Sequence, residues 1–193
     1  MNGTVIDIIR DTIGSRYHLL RNDRDWIVQN EARVEIRSPH KHSMAFCLKH
    51  AKEEKGLAFF SASPPKHLAK MCDALIAVSH ANTLYLFAIE VKTAHKDDYK
   101  KQLANGKYFW DWLIALFREH GYLNETVQHI GLLIWWPREK SVRKGTTTHA
   151  GSRLKKVTSK SLFDLKFEAR NIGRIQLLEM LEWRRKNPGH LSP

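Results

Sequence analysis

Two apolar runs joined by a short polar connection are the feature that most constrains the fold of this 193-residue chain. The runs extend from Cys72 to Ser79 and from Leu84 to Lys92, and residues 80–83 (His-Ala-Asn-Thr) connect them. This arrangement predicts an antiparallel β-hairpin. Because both runs are apolar at odd and even positions, we expect both faces of the hairpin to be covered, as in the centre of a sheet.

The predicted hairpin has a register that brings charged residues together. If residues 80–83 form the whole connection, Ser79 faces Leu84 and the numbers of paired positions sum to 163, so that Asp73 lies opposite Glu90. Directly opposed residues in an antiparallel pair have Cβ atoms about 4.5 to 5.5 Å apart. Side chains alternate along a strand, so Glu90 and Lys92 point to one face. The sequence therefore predicts two carboxylates and a lysine that converge.

These three residues indicate a particular chemistry. Two opposed carboxylates among apolar residues repel each other unless one is protonated or a cation lies between them. Carboxylate oxygens favour Mg²⁺ or Mn²⁺ over Zn²⁺. With Lys92 orienting or deprotonating a water molecule, the expected reaction is metal-assisted hydrolysis of a phosphodiester bond. The alternative interpretation is that Asp73, Glu90 and Lys92 simply emerge into solvent at strand ends.

This acid-acid-lysine pattern resembles that of the PD-(D/E)XK nuclease superfamily, which includes restriction endonucleases, archaeal Holliday-junction resolvases and repair exonucleases. The resemblance covers roughly residues 43–136, where the predicted order of helix, three strands, helix and strand matches the family core. It implies that Asp73, Glu90 and the Val91 carbonyl bind the metal and that Lys92 serves the attacking water. The implied fold is α/β, with a restriction-endonuclease-like core in which helices flank a central mixed β-sheet.

Accessory site residues follow from the resemblance and from position. Many family members carry a further glutamate on the first core helix, and Glu35 and Glu54 are the candidates for it here. Some members carry a Gln-x-x-x-Tyr motif on the next helix; Gln102 is present, with a glycine in the tyrosine's place. Gln102 therefore either approaches the site or lies on the helix surface. His95 either touches substrate or is a surface histidine.

The charge of the chain favours a polyanionic partner. There are 32 Lys+Arg residues against 20 Asp+Glu residues, a formal net charge of +12, which predicts phosphate contacts with DNA, while RNA stays open. Residues 138–160 contain eight basic residues and one acid, a net +7, and are expected to form a mobile loop that is either a nucleic-acid contact or merely solvated. The basic residues expected to contact nucleic acid are Arg138, Lys140, Arg143, Lys144, Arg153, Lys155 and Lys156.

Hydrophobic periodicity predicts the remaining elements. The helices are expected from residue 4 towards Leu20 and at 43–55, 97–117 and 172–185, and further strands at 26–36, 57–60, 127–136 and 162–167. We expect one domain over residues 1–193. It comprises an N-terminal extension (1–42), a nuclease-like core (about 43–136) and a basic loop with a C-terminal helix (137–193).

Other features bound the setting of the protein. Cys47 and Cys72 each lie among apolar residues, which favours two small buried side chains over a disulfide. The lack of a secretory signal or a long apolar run predicts a soluble cytoplasmic protein without a membrane partner. A homodimer is expected, through the aromatic helix at 97–117 or the final helix. The competing functions are a non-catalytic nucleic-acid-binding or regulatory protein on the same scaffold, and a protein-binding scaffold.

Overall fold

The protein is an α/β chain with two mixed β-sheets. The computed structural model describes residues 4–22, 25–29, 33–38, 40–48, 70–93, 99–135, 154–156, 162–163, 165–170 and 174–186. Over these residues the helices are α1 (Val5–Thr12), α2 (Tyr99–Glu119) and α3 (Leu177–Lys186). The predicted combination of an α/β fold with a mixed sheet is confirmed.

The larger sheet has six strands and contains the predicted hairpin. Its strands are β4 (Ser43–Phe46), β5 (Ala74–His80), β6 (Thr83–Lys92), β7 (Thr126–Trp135), β8 (Leu154–Lys156) and β9 (Leu165–Arg170). Their spatial order is β4-β5-β6-β7-β9-β8, in which β6, β7 and β9 run parallel to one another and the other neighbours are antiparallel. Strands β5 and β6 are buried on both faces over most of their length, as their apolar sequences predict.

The hairpin has the predicted register and a tighter turn. Ser79 pairs with Leu84 as expected, but His80 also pairs with Thr83, so the turn contains only Ala81 and Asn82. Both turn residues have positive φ angles, 49° and 57°, which two-residue hairpin turns of type I′ require. Extending the ladder by one pair leaves the sum of paired positions unchanged. The predicted opposition of Asp73 and Glu90 therefore survives the shorter turn.

Helix α2 connects the parallel strands β6 and β7 and packs on the larger sheet. Its buried face carries an apolar stripe at alternating spacings of three and four residues, which comprises Leu103, Gly106, Trp110, Leu113 and Phe117. At Gly106 the backbone comes so close to the sheet that an added Cβ would lie 2.6 Å from the Sγ atom of Cys72 and 3.1 Å from the Cβ atom of Ala88. One turn later, the indole N–H of Trp110 donates to the Phe87 carbonyl at 3.1 Å. These contacts thus fix the distance of α2 from the sheet and its rotation about its own axis.

The smaller sheet joins segments from both ends of the chain. Its strands are β1 (Arg21–Asn22), β2 (Asp25–Gln29), β3 (Arg33–Arg37) and β10 (Arg174–Gln176), in the order β1-β2-β3-β10. The buried carboxylate of Asp25 accepts from Arg37 at 2.9 Å and pairs with Arg174 at 3.2 Å, which ties β10 to the N-terminal hairpin. The single strand predicted over 26–36 was wrong, because this segment forms two antiparallel strands. The final helix begins at Leu177, since residues 174–176 pair with β3.

Two predicted helices differ from the structure. Helix α1, which packs on β4 and β5, ends at Thr12 rather than near Leu20, and a 3₁₀ turn follows at Ser15–Tyr17. The helix predicted over 43–55 was wrong in its first part, because Ser43–Phe46 is strand β4. All four residues of β4 are buried and pair with β5, so tertiary pairing decides their conformation. Cys47 and Leu48, which follow β4, are not helical either. The rest of that prediction (49–55) and the strand predicted at 57–60 lie outside the described residues.

Further sequence expectations have mixed outcomes. Cys47 and Cys72 are both buried, as predicted. None of the described helices is both long and apolar enough to cross a membrane. The mobile loop predicted within 138–160 lies outside the described residues, apart from Leu154–Lys156 on β8, which pairs with β9.

Candidate active site

The predicted acid pair lies where the β5–β6 ladder ends. Asp73 immediately precedes β5, and Glu90 is two residues from the end of β6. The last backbone pair of the ladder is Ala74 with Ile89, so the next opposed positions are Asp73 and Glu90. The backbone N–H of Asp73 donates to the Oε2 atom of Glu90 at 3.1 Å. The structure therefore brings these two residues together as the register predicts.

The two acids are held by reciprocal hydrogen bonds. While Glu90 accepts from the Asp73 backbone, the Oδ2 atom of Asp73 accepts from the Val91 N–H at 2.7 Å. Asp73 is 4% exposed and Glu90 is fully buried. Carboxylates that accept backbone N–H bonds are held in one orientation. Beyond the last backbone pair, hydrogen bonds between backbone N–H groups and carboxylates therefore connect the two strands. These bonds fix both carboxylates beside each other on the face that α2 covers.

Lys92 completes the cluster. Its Nζ atom lies 2.7 Å from the Oε1 atom of Glu90 and donates to the Oε1 atom of Gln102 at 2.8 Å. The Lys92 side chain is 21% exposed, so the amine connects the buried acids to the protein surface. The cluster thus combines two acidic side chains with one basic side chain at a mostly buried position.

Gln102 belongs to this cluster and is not an ordinary surface glutamine. It is 7% exposed, and its Nε2 atom donates to the Met71 carbonyl at 3.5 Å while its Oε1 atom accepts from Lys92. One turn further along α2, Asn105 donates to the Lys70 carbonyl at 2.9 Å. Gln102 and Asn105 thus attach α2 to the segment that leads into Asp73. Sequence reasoning missed Asn105, although its spacing of three from Gln102 places both on one face of the helix.

Thr93 is a second residue that sequence reasoning missed. It follows Lys92 directly and is 5% exposed. Its hydroxyl is among the buried polar atoms for which the described part of the chain offers no hydrogen-bond partner. Such a group is costly to bury, and its position next to Lys92 is the one sequence signal that could have singled it out.

The donor set of the cluster suits a hard divalent cation. Carboxylates are typical ligands of Mg²⁺, which keeps several waters and uses one or two protein carboxylates. The described residues contain no group of three or more His, Cys, Asp or Glu side chains arranged to hold a metal. Asp73 and Glu90 therefore form a pair without a third such side chain within the part of the chain that the structure describes.

The other predicted site residues lie elsewhere. Glu35 is on β3 in the smaller sheet, where it accepts from the Nε atom of Arg174 at 3.0 Å. Glu54 and His95 fall outside the described residues, as do Arg138, Lys140, Arg143, Lys144 and Arg153. The backbone of Lys155 and Lys156 lies on β8, the outermost strand of the larger sheet beyond β9.

Fold and site together define an α/β protein with a buried acid pair and a lysine at the end of a central hairpin. No family model, curated protein or solved structure matches the chain.

Proposed function

We propose that the protein is a Mg²⁺-dependent nuclease that hydrolyses phosphodiester bonds in DNA, with a site and core of the PD-(D/E)XK, restriction-endonuclease-like type. The observation that carries this proposal is the buried pair Asp73 and Glu90 with Lys92 at 2.7 Å from Glu90. This is the combination of hard anionic ligands and a nearby amine that metal-assisted hydrolysis uses. Restriction endonucleases, junction resolvases and repair enzymes share such a core, so the proposal does not select among these roles.

Each residue of the cluster has a proposed role. Asp73, Glu90 and the Val91 carbonyl would hold Mg²⁺, or Mn²⁺ in its place. When bound, the ion would neutralise phosphate charge and make water more acidic. Lys92 orients the attacking water and offsets the negative charge that develops on the phosphate. Gln102 accepts from the amine and so keeps Lys92 in place.

The charge of the chain supports a nucleic-acid substrate. The net charge is +12, and residues 138–160 contribute +7 of it. Basic residues bind phosphates with release of counterions, so binding should weaken strongly with salt. The basic residues of this segment would bind the phosphates of the nucleic acid, while the acid-lysine cluster would hydrolyse the phosphodiester bond.

A second candidate is a non-catalytic nucleic-acid-binding or regulatory protein on the same scaffold. The observation that favours it is that the protein itself supplies partners for both carboxylates, namely two backbone N–H groups and Lys92. In addition, no third acid joins Asp73 and Glu90 among the described residues. If this candidate is correct, the cluster only stabilises the end of the hairpin through its hydrogen bonds and ion pair.

A cleavage panel tests the proposal. The full chain is incubated with supercoiled plasmid, single-stranded oligonucleotides and branched DNA, in Mg²⁺, Mn²⁺ or EDTA. We expect cleavage that depends on the divalent ion and is lost in Asp73→Asn and Lys92→Met, which keep side-chain size. Lys107→Met is the matched control. Lys107 forms a separate ion pair with Asp111 at 2.6 Å, so this variant should keep its cleavage activity.

The alternative outcomes decide between the two candidates. Absence of cleavage with every substrate and ion would contradict a nuclease, and so would full activity of Lys92→Met. Salt-sensitive DNA binding that is the same in Mg²⁺ and in EDTA would favour the non-catalytic candidate. A thermal melt supplies an independent reading of metal binding, since Mg²⁺ should stabilise the wild type and not Asp73→Asn.

A further inference from the structure

Helix α2 carries a second stripe on the side opposite to the core. The stripe repeats the spacing of the buried stripe with an offset of two residues, which is about 200° around a helix. Its central residues are unusually exposed for aromatic side chains, Tyr108 at 57% and Trp112 at 54%. We call it the outer seam, and its members are Lys101, Asn105, Tyr108, Trp112, Ala115 and Glu119, of which Asn105 is half-buried at the edge of the seam and donates to the Lys70 carbonyl.

The outer seam has the heptad spacing of a coiled coil, with alternating steps of four and three residues. It is also complementary to itself when two copies run antiparallel about a twofold axis at the level of residue 110. Tyr108 of one copy then meets Trp112 of the other, and the reverse, in two central aromatic layers. At each end Lys101 meets Glu119, and both of these side chains are exposed. A parallel pair would instead place lysine against lysine and glutamate against glutamate.

We propose that the outer seam binds a second copy of this chain, with the two α2 helices antiparallel. Twofold interfaces use the same surface on both subunits, so they need a surface that is complementary to itself, as this one is. The proposal does not depend on the nuclease activity, because neither Lys92 nor Gln102 belongs to the outer seam. A dimer without cleavage, or cleavage without a dimer, would separate the two proposals.

The charges of the outer seam favour another copy over nucleic acid. Surfaces that stack single-stranded bases combine aromatic rings with a basic groove. Here Lys107 beside the seam is neutralised by Asp111 at 2.6 Å, and the seam itself contains one lysine and one glutamate. Aromatic rings bury about 150 to 250 Å² when fully covered, so four half-exposed rings give a modest interface. We therefore expect a reversible dimer that depends on concentration.

Sedimentation equilibrium of the full chain at rising concentrations tests the proposal. We expect the mass to rise from one chain to two, and Trp112→Ser to remain monomeric over the same range. Lys101→Glu and Glu119→Lys should each weaken the dimer by at least about tenfold, because each creates like-charged end layers. The double variant with both reversals should dimerise like the wild type. Lys100→Glu makes the same charge change beside the seam and should have little effect.

The opposing results are equally clear. A wild type that is monomeric at every concentration overturns the proposal, and so does a dimer that neither Trp112→Ser nor the single reversals weaken. If Trp112→Ser fails to fold by circular dichroism, the two surface reversals and their double variant decide the matter alone. Binding of a single-stranded oligonucleotide that Trp112→Ser abolishes, with a monomer throughout, would assign the seam to nucleic acid.

Discussion

Gly106→Ala tests how closely α2 must approach the hairpin. An alanine normally stabilises a helix interior by about 1 kcal/mol relative to glycine. At this position, however, the added Cβ would lie 2.6 Å from the Sγ atom of Cys72, 3.1 Å from the Cβ atom of Ala88 and 3.2 Å from a methyl carbon of Leu75. Excess volume in a packed core costs about 1 to 3 kcal/mol. Because Cys72 is 1% exposed and its thiol donates to a backbone carbonyl, it has little room to turn away.

Because three contacts are crowded at once, the cost should lie in the upper part of this range, at about 2 to 3 kcal/mol. Subtracting the helix gain of about 1 kcal/mol leaves an expected net loss of about 1 to 2 kcal/mol in the free energy of unfolding, measured by urea denaturation. The site should change as well, because Gln102 lies one turn before Gly106 and Cys72 adjoins Asp73. If α2 moves outward, Gln102 loses its 2.8 Å contact with Lys92, so DNA cleavage should fall even at temperatures where the variant is folded.

A second substitution separates crowding from other causes. Cys72→Ala removes the 2.6 Å contact, so the Gly106→Ala and Cys72→Ala double variant should be more stable than the sum of the single effects predicts. A Gly106→Ala variant at least as stable as the wild type would refute the reasoning. Strictly additive single effects would also refute it, because the crowding would then not involve Cys72.

Three further substitutions probe the site, the turn and the first helix. Lys92→Met removes the amine that lies 2.7 Å from the buried Glu90 carboxylate, and it should lower the free energy of unfolding by about 2 to 3 kcal/mol. The loss should be smaller in a Glu90→Gln background, and equal losses in both backgrounds would contradict this. Ala81→Gly should raise the free energy of unfolding by about 1 kcal/mol, since the positive φ angle of 49° strains an alanine and not a glycine. An unchanged free energy of unfolding in a urea titration would argue against a strained turn. The hydrogen bond from the Thr4 side chain lowers the pKa of Asp7 below its ordinary value of 3.8. The ionised Asp7 carboxylate therefore stabilises the folded state above pH 3.8, and this stabilisation is lost as the pH falls through the folded-state pKa. Thermal melts at decreasing pH should thus show a shallower acid loss for Asp7→Asn, and an unchanged slope would count against the capping interaction.

The acid pair could be predicted because it depends on local pairing. A hairpin with a short connection has few registers, and lengthening the ladder from both sides keeps the same residues opposed. The unexpected pair of His80 with Thr83 therefore changed the turn without moving Asp73 away from Glu90. The position of Gln102 was harder to predict, since it depends on how deeply α2 packs on the sheet. Gly106 permits this close packing because it has no side chain. The sequence alone does not show which residues approach a glycine inside a helix, so the packing depth of α2 could not be inferred from it.

The smaller sheet could not be predicted for the opposite reason. Strand β10 has only three residues, and it pairs with β3 across more than a hundred residues of sequence. No local pattern indicates such a partner, and a three-residue strand followed directly by a helix resembles the start of that helix. Strand β4 presented a related problem, because Ser43–Phe46 becomes a strand through its pairing with β5 and its contact with α2.

The cost of the cluster is itself an argument for function. Replacing a buried ion pair by apolar side chains of similar size is often neutral or stabilising, so stability does not explain why charges occupy this position. The next pair along the same face, Leu75 and Ala88, shows the apolar solution that this hairpin uses elsewhere. At Asp73 and Glu90 the chain instead buries two acids and uses backbone N–H groups, Lys92 and Gln102 to hold them. On the proposed function, a bound cation and its chemistry explain these buried charges at the end of the central hairpin better than packing does.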